Sequence, residues 1–333
     1  MKIKIAPPFD THVHFRQKAM LTVVAPLSAV HFGRVIVEPN TTPVIGPVNV
    51  EAYKKRIESH APGVDVLMTI YLQPTTTPAD IQKAHELGIR IAKLYPEGVT
   101  TGSESGVSNI SDLFDVFAEM EKLGWVLQLH GETPGIFCLD REANFAEHTL
   151  KMLVNHFPRL RLTMEHLSSK AAGEIVVSLP DTVVASVTVH HLLITLDDVI
   201  GDKINPHLFC KPVAKRSEDR DWLIATVMSG HSKLFLGTDS APHLRERKEC
   251  AEGCAGIFTG PVAMPLLAGL FDKYGELDQL EDFTSGRANR FYRQKKVEGQ
   301  IDLVEIPWIV PQDYNGVVPF RAGQELNWQV RRI

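Results

Sequence analysis

Six polar residues that could take part in metal chemistry lie within or just after apolar segments of the chain. FDTHVHFR at residues 9–16 places two histidines at alternate positions, and later segments read IAKLYPEG, LQLHGE, TMEHLS and GTDSAPH. The six residues are His12, His14, Lys93, His130, His166 and Asp239. Neutral imidazole and carboxylate are suitable ligands for zinc. This ordered set predicts a site for two divalent cations.

Lys93 requires a chemical change before it can bind a metal. An ammonium group has no lone pair, its ordinary pKa is about 10.4, and leaving it unpaired in an apolar strand is costly. We predict that the amine adds CO2 to become a carbamate (N6-carboxylysine), which bridges two Zn²⁺ ions together with a hydroxide. With Asp239 as a further anion, such a centre keeps roughly one net positive charge. It can therefore hold a nucleophile and still polarise a carbonyl.

Arg16 lies two residues after His14, and alternate residues of a strand share one face. A guanidinium beside the metals is poorly suited as a ligand but can grip a carboxylate through two hydrogen bonds. The alternation favours this interpretation over a surface salt bridge.

Several of these residues also have ordinary structural interpretations when taken singly. A lone histidine after a strand is often a capping or packed residue, and Asp239 could cap a helix. Asn40, before Thr-Thr-Pro, could be a turn residue, and His243 an ordinary helix-start residue. The loop 97–106, with three glycines, suits a lid but equally an idle surface loop.

Eight apolar, β-branched segments alternate with helical patterns along the chain. SDLFDVFAEMEKLG at 111–124 is such a pattern, with Ser111 as the predicted N-cap and Gly124 as the predicted stop. The predicted strands are Ile3–Phe9, Val35–Glu38, Val64–Tyr71, Ile89–Leu94, Trp125–Leu129, Leu160–Met164, Val183–Val189 and Leu234–Leu236. The alternation predicts an α/β fold, a (β/α)8 TIM-type barrel whose carboxyl strand ends form one mouth. A doubly wound open sheet is the alternative, but no GxGxxG turn follows the first strand.

Two regions fall outside the repeat but show no linker composition. Residues 190–222 form a predicted insertion between strands seven and eight, and residues 297–333 a predicted tail that packs on the barrel. We therefore expect a single catalytic domain, 1–333.

Composition narrows the possible partners and location. The 333 residues are 44% hydrophobic and 23% charged, with a formal net charge of -5 and no long basic block, so nucleic acid is not an expected partner. No apolar run reaches membrane-spanning length, and the amino terminus does not resemble a signal peptide. The four cysteines form no CxxC pair, which suggests reduced thiols and a cytoplasmic protein.

The motifs FDTHVHFR, VEPNTTP, AKLYPEGVTT, LHGE, EHLSSKAA, CKPVAKR, GTDSAPH and CAGIF span residues 9–258. Together they resemble the amidohydrolase superfamily and, within it, the shorter, stand-alone (class II) dihydroorotases. The resemblance implies a zinc-dependent cyclic amide hydrolase that interconverts (S)-dihydroorotate and N-carbamoyl-L-aspartate in pyrimidine (UMP) biosynthesis. It also implies a homodimer with two Zn²⁺ per subunit.

The resemblance further implies a role for each site residue. His12, His14 and Asp239 would bind the more buried metal, His130 and His166 the second, and carboxylated Lys93 would bridge them. Asp239 would also be the catalytic general base and then acid. The implied substrate-binding residues are Arg16, Asn40 and His243 at the carboxylate, Thr100 and Thr101 on the lid, and backbone groups near Lys211, Ala255 and Gly256.

Three other functions are alternatives to this interpretation. Another cyclic amidase, such as a hydantoinase or allantoinase, would use the same metals but a different carboxylate clamp. A non-catalytic scaffold should have lost ligands, whereas this set looks whole. A sugar-phosphate barrel enzyme lacks support, because no phosphate-binding glycine cluster follows strands seven and eight.

Overall fold

Parallel strands form a closed ring in the computed structural model, which describes residues 1–332. The barrel strands are β2 (Phe9–Val13), β3 (Arg34–Val37), β4 (Asp65–Met68), β5 (Ile70–Tyr71), β6 (Ile91–Leu94), β7 (Val126–Leu129), β8 (Arg161–Met164), β9 (Val183–Val187) and β10 (Leu234–Leu236). β4 and β5 are consecutive parts of one barrel strand, interrupted at Thr69. Outside the ring lie β1 (Lys2–Ile5), β11 (Ile301–Ile309) and β12 (Glu325–Arg332).

Parallel pairing runs from β2 through β4 and from β5 through β10. Backbone hydrogen bonds beyond the strand ends close the ring: Asp239 N donates to His12 O (2.9 Å) and His14 N to Ser240 O (3.1 Å). The predicted (β/α)8 barrel is confirmed.

Helices follow the strands around the ring. In chain order, α1 to α12 span Lys18–Ala29, Val50–His60, Pro78–Glu86, Phe114–Lys122, Arg141–Asn144, Lys151–His156, Lys170–Ser178, Leu196–Ile200, Ser217–Met228, Arg245–Lys248, Ala263–Tyr274 and Arg287–Phe291. π-Helical turns cover Phe145–Leu150 and Asp282–Gly286, and 3₁₀ turns cover Ile110–Leu113, Pro206–Leu208 and Leu277–Gln279. None of the helices among residues 1–332 combines the length and apolar character needed to cross a membrane.

The helical pattern at 111–124 starts differently from the prediction. Asn109, not Ser111, caps the segment, because its side chain accepts a hydrogen bond from Ser111 N, and a 3₁₀ turn precedes α4. Gly124 ends the segment as predicted, with a φ of 70° that glycine adopts at little cost.

The prediction for the first barrel strand is wrong. Ile3–Phe9 was expected to form it, but β1 stops at Ile5 and pairs antiparallel with β11, while Phe9–Val13 enters the barrel. Pro7 and Pro8 lie between the two strands, and proline cannot donate a ladder hydrogen bond. One apolar run is therefore two strands in different sheets.

The remaining segments lie around this frame. β1, β11 and β12 form a three-stranded antiparallel sheet, which includes both strands of the predicted tail. The segment between β9 and β10 contains α8, a 3₁₀ turn and α9.

The two ends of the barrel differ in polarity. The amino-terminal layer is an apolar cluster that contains Phe9, Ile36, Ile91, Val126, Val184 and Phe235. Polar side chains instead lie at the carboxyl ends of the strands, which is the functional face of this architecture.

Candidate active site

The six candidate metal ligands come from five barrel strands and meet at one end. His12 lies within β2 and Lys93 within β6, and the other four follow β2, β7, β8 and β10 within three residues. All six side chains are buried. The parallel sheet thus brings together residues that are far apart in sequence.

Three of these residues form a tight group. His12 Nε2 lies 3.3 Å from His14 Nε2, and Asp239 Oδ1 lies 3.4 Å from the first nitrogen and 3.1 Å from the second. Three donor atoms facing one point at these separations form a candidate metal-binding group.

The far sides of the two imidazoles are held by other residues. His12 Nδ1 lies 2.7 Å from Glu165 Oε2, and His14 Nδ1 lies 2.9 Å from Asn40 Oδ1. Because both partners are acceptors, each Nδ1 carries the proton. Partners of this kind orient metal-bound histidines in other proteins. Each Nε2 therefore faces Asp239.

Lys93 is completely buried beside this group. Its Nζ lies 3.1 Å from Glu38 Oε2 and 3.5 Å from His12 Nδ1. Tyr95 Oη donates a 2.6 Å hydrogen bond to the same Glu38 oxygen. Although burial opposes ionisation, His12 and Lys93 hold the pKa of Glu38 below its ordinary value.

His130 and His166 form the other half of the cluster, with ring centroids 4.6 Å apart. His130 Nε2 lies 2.9 Å from Glu132 Oε2, whereas the Nδ1 atom of His130 does not contact this carboxylate. His166 Nδ1 is buried and has no hydrogen-bond partner in the described structure. An orphaned buried nitrogen is costly, and a bound ion would satisfy it.

The pKa values of His14, His166 and Asp239 fit metal binding, whereas burial at His12 is outweighed by Glu38, Asp239 and Glu165, which raise its pKa to about 10. Burial lowers the pKa of His14 to about 4 and that of His166 well below its ordinary value, so both rings are neutral at pH 7. Burial raises the pKa of Asp239, but the adjoining His12 and His14 imidazoles outweigh it and hold the pKa well below the ordinary value. Two neutral imidazoles and a carboxylate are therefore available as zinc donors.

Two candidate ligands adopt backbone conformations that the sequence does not reveal. His166 and Asp239 have φ values of 43° and 42°, in the left-handed region. Non-glycine residues there are uncommon and tend to cluster at functional sites.

The substrate side of the predicted site lies against the metal side. Arg16 Nη2 lies 2.9 Å from His243 Nε2, and Arg16 Nε donates a 2.9 Å hydrogen bond to Pro242 O. The sequence prediction oriented Arg16 by strand alternation, but Arg16 is not in a strand. β2 ends at Val13, and Arg16 has a φ of 61°. The loop after the strand places the guanidinium.

Asn40 connects the metal side to the predicted lid. Its Oδ1 contacts His14, and its Nδ2 donates a 3.1 Å hydrogen bond to Thr101 O. Tyr71 Oη donates to Gly102 O at 3.4 Å. The loop 97–106 is folded over the barrel mouth in this structure.

A narrow pocket, with free space of only about 20 Å³, lies at the centre of this arrangement. Its lining contains every predicted site residue except Lys93, which lies behind His12, and His243, which lies behind Arg16. A larger cleft at the amino-terminal end of the barrel contains none of these histidines.

Sequence reasoning missed the residues that hold the ligands. Glu38, Glu132 and Glu165 are completely or almost completely buried beside them, and Tyr95 and Ala241 also line the pocket. The sequence contained one signal for these glutamates, because each lies beside a predicted motif residue or at the end of a predicted strand.

A second group of possible donors, His190, His191 and Cys210, lies close together nearby. His191 Nδ1 lies 2.9 Å from Thr188 Oγ1, and that oxygen already accepts a hydrogen bond from His191 N. Thr188 therefore donates to Nδ1, and Nε2 donates to Pro212 O at 3.1 Å. Both nitrogens of His191 are thus occupied, and its role here is to hold the backbone at Pro212.

No family model matches the chain, but curated relatives do. The chain is 42% identical over 341 residues to a dihydroorotase of Shewanella piezotolerans, with 99% of each chain covered. It belongs to the dihydroorotase family.

Solved structures agree with this assignment. A Saccharomyces cerevisiae dihydroorotase, crystallised with 5-fluoroorotic acid, matches with a TM-score of 0.94 and 33% identity over 99% of this chain and 98% of that one. An L-hydantoinase of Arthrobacter aurescens matches with a TM-score of 0.85 over 98% of this chain and 82% of that one. At 19% identity, the hydantoinase similarity shows the fold alone.

Proposed function

We propose that this member of the dihydroorotase family interconverts (S)-dihydroorotate and N-carbamoyl-L-aspartate in pyrimidine biosynthesis. One observation carries the proposal: the Arg16–His243 pair lies in contact with the pocket that contains the His12–His14–Asp239 group. A guanidinium beside a metal-type donor cluster suits a substrate with both a carboxylate and a scissile amide.

The residues present fit a zinc centre. His12, His14 and Asp239 would hold one ion and His130 and His166 a second, with Lys93 as the carboxylated bridge. The neutral imidazoles of His14 and His166 and the orphaned His166 nitrogen support this assignment. When bound, the ions supply an activated water nucleophile and a Lewis acid at the ring carbonyl.

The protein's own groups orient the substrate and move the proton. Arg16, with His243 behind it, and Asn40 hold the carboxylate, so that the scissile amide lies beside Asp239. Asp239 accepts a proton from the attacking water and delivers it to the leaving ring nitrogen. Thr100 and Thr101 cover the pocket, and backbone groups at Lys211, Ala255 and Gly256 contact the ring.

Turnover of dihydroorotate and of hydantoin by the purified protein, measured side by side, tests the proposal. We expect dihydroorotate turnover that is lost on chelation and restored by zinc, and that Asp239→Ala abolishes in a folded protein. Preferential hydantoin turnover would instead identify another cyclic amidase. Substantial activity of the Asp239 variant would contradict the proposed proton transfer.

We also propose a cytoplasmic homodimer whose chain forms one catalytic domain, with 190–222 as an insertion and 297–333 as a tail. The family resemblance supports the dimer, and the four free cysteines suit a reducing compartment. Light scattering of the purified protein would distinguish a dimer from a monomer.

A further inference from the structure

A buried lysine outside the chemical groups described above joins two backbone segments at the pocket. Lys248 ends α10 and is 3% exposed. Its Nζ donates hydrogen bonds to Phe209 O (2.9 Å), Cys254 O (3.0 Å) and Gly256 O (2.6 Å). An ammonium group has three N–H donors, and each has a backbone carbonyl as its partner.

These carbonyls belong to the segments that line one side of the pocket. Lys211 follows Phe209 by two residues, and both Ala255 and Gly256 line the pocket. The segments also contact each other, because Gly256 N donates a 2.9 Å hydrogen bond to Phe209 O. Lys248 lies where the segments meet.

The ammonium fixes the direction of the neighbouring N–H groups. In a trans peptide the carbonyl and the following N–H point in opposite directions. Holding Cys254 O on Lys248 therefore directs the N–H of Ala255 away from the lysine. A charge-assisted hydrogen bond also polarises the peptide, which makes its N–H a better donor.

The local backbone has little freedom to compensate for loss of these bonds. Gly256 has a φ of 143°, and a Cβ atom there would lie 2.3 Å from Ala241 O. Burial lowers the pKa of Lys248 to about 8, so the ammonium form still prevails at pH 7. At pH 7 the charged Lys248 side chain is thus available to hold the three carbonyls.

We propose that Lys248 is a positioning residue that sets the backbone groups of the 209–211 and 254–256 segments for recognition of the substrate ring. This inference rests on the proposed function, since the ring is that of dihydroorotate. Lys248 touches neither the metal ligands nor the reacting atoms, and it acts only through the peptides it holds.

Three variants test the proposal in the zinc-loaded enzyme. Lys248→Met keeps the length of the side chain but removes the donors, whereas Lys248→Arg keeps a charged donor. Lys233→Met is the matched control, because Lys233 is also buried and binds backbone carbonyls, at the end of α7 and away from the pocket. Steady-state kinetics and hydrogen exchange of residues 209–212 and 254–257 are measured for each.

We expect Lys248→Met to raise the KM for dihydroorotate about tenfold, the effect of losing roughly one hydrogen bond, with kcat within about threefold. Lys248→Arg should restore part of the KM, and Lys233→Met should leave it unchanged. An unchanged KM in Lys248→Met, or an equal rise in Lys233→Met, overturns the inference.

Hydrogen exchange separates this inference from the proposed function. Faster exchange in both segments of Lys248→Met, but not of Lys233→Met, supports the tether formed by Lys248 even if the wild type does not turn over dihydroorotate. That result would contradict the proposed function but would support the positioning role of Lys248. If Lys248→Met does not fold, Lys248→Gln, which loses the charge and keeps fewer donors, replaces it, and exchange and KM identical to those of the wild type would refute the proposal.

Discussion

Glu165 determines which nitrogen of His12 faces the metal group. Its carboxylate lies 2.7 Å from His12 Nδ1 and accepts a 2.9 Å hydrogen bond from Ser186 Oγ. A carboxylate in this position orients the ring and makes Nε2 a stronger metal ligand. Glu165 would therefore contribute to the proposed metal binding without being a proposed ligand.

Replacing Glu165 should weaken zinc binding without unfolding the protein. Glu165→Gln keeps the shape but removes the charge, and we expect a loss of zinc affinity of about 10- to 100-fold. Competition with a zinc chelator measures it. Glu147→Gln is the control, since Glu147 is half exposed and pairs with Lys151 on the surface. Equal affinities in the two variants would show that Glu165 has no such role.

We propose that the stretch FDTHVHFR divides into a metal-binding part and a substrate-binding part. His14 faces Asp239, whereas the Arg16 guanidinium contacts His243 and Pro242. His14→Ala should therefore remove zinc, measured as metal per chain. Arg16→Met should keep the zinc and raise the KM for dihydroorotate by about 10- to 100-fold, the worth of a charge-assisted hydrogen bond. Loss of zinc from the arginine variant would contradict the division.

At the scale of elements, the sequence predicts best where a local pattern decides the structure. The apolar runs before His130, His166 and Asp239 are barrel strands, and parallel pairing brings their ends together. The first strand was misplaced because Pro7 and Pro8 divide an apolar run between two sheets.

Contacts between distant residues were not predictable in this way. Glu165 lies 153 residues from His12 along the chain, and no local pattern reports which carboxylate will meet which imidazole. The left-handed backbone at Asp239 likewise depends on the closed ring, in which Asp239 N bonds His12 O.

The loop 97–106, the predicted lid, ends at a glycine that leaves no room for a side chain. A Cβ atom at Gly106 would lie 2.6 Å from Tyr95 O and 2.9 Å from Glu97 N, both backbone atoms. Gly106→Ala should thus displace the base of the 97–106 loop, raise the KM for dihydroorotate and speed proteolytic cleavage in the loop. Gly46→Ala is the control, because a Cβ there meets no atom within 4 Å. Equal KM values for the two variants would argue against a lid that needs this anchor.

At the scale of the whole molecule, the outer sheet joins the two ends of the chain to the barrel. β11 pairs with β1 on one side and β12 on the other. Trp328 of β12 is 1% exposed within the main core, and its carbonyl accepts a 2.8 Å hydrogen bond from Trp308 Nε1. The described part of the tail, residues 297–332, therefore includes a core residue of the barrel.

Removing this tryptophan should destabilise the molecule while leaving the remote site intact. Trp328→Ala is expected to cost about 3–5 kcal/mol, which for a chain of this size lowers the thermal midpoint by roughly 4–7 °C. Scanning calorimetry measures the shift, and kcat/KM at 25 °C should stay close to that of the wild type. Ile309→Ala, at a 67% exposed position of β11, should shift the midpoint little. Equal midpoints for both variants would mean that the tail covers the barrel without stabilising it. The burial of Trp328 instead indicates that barrel and sheet unfold together.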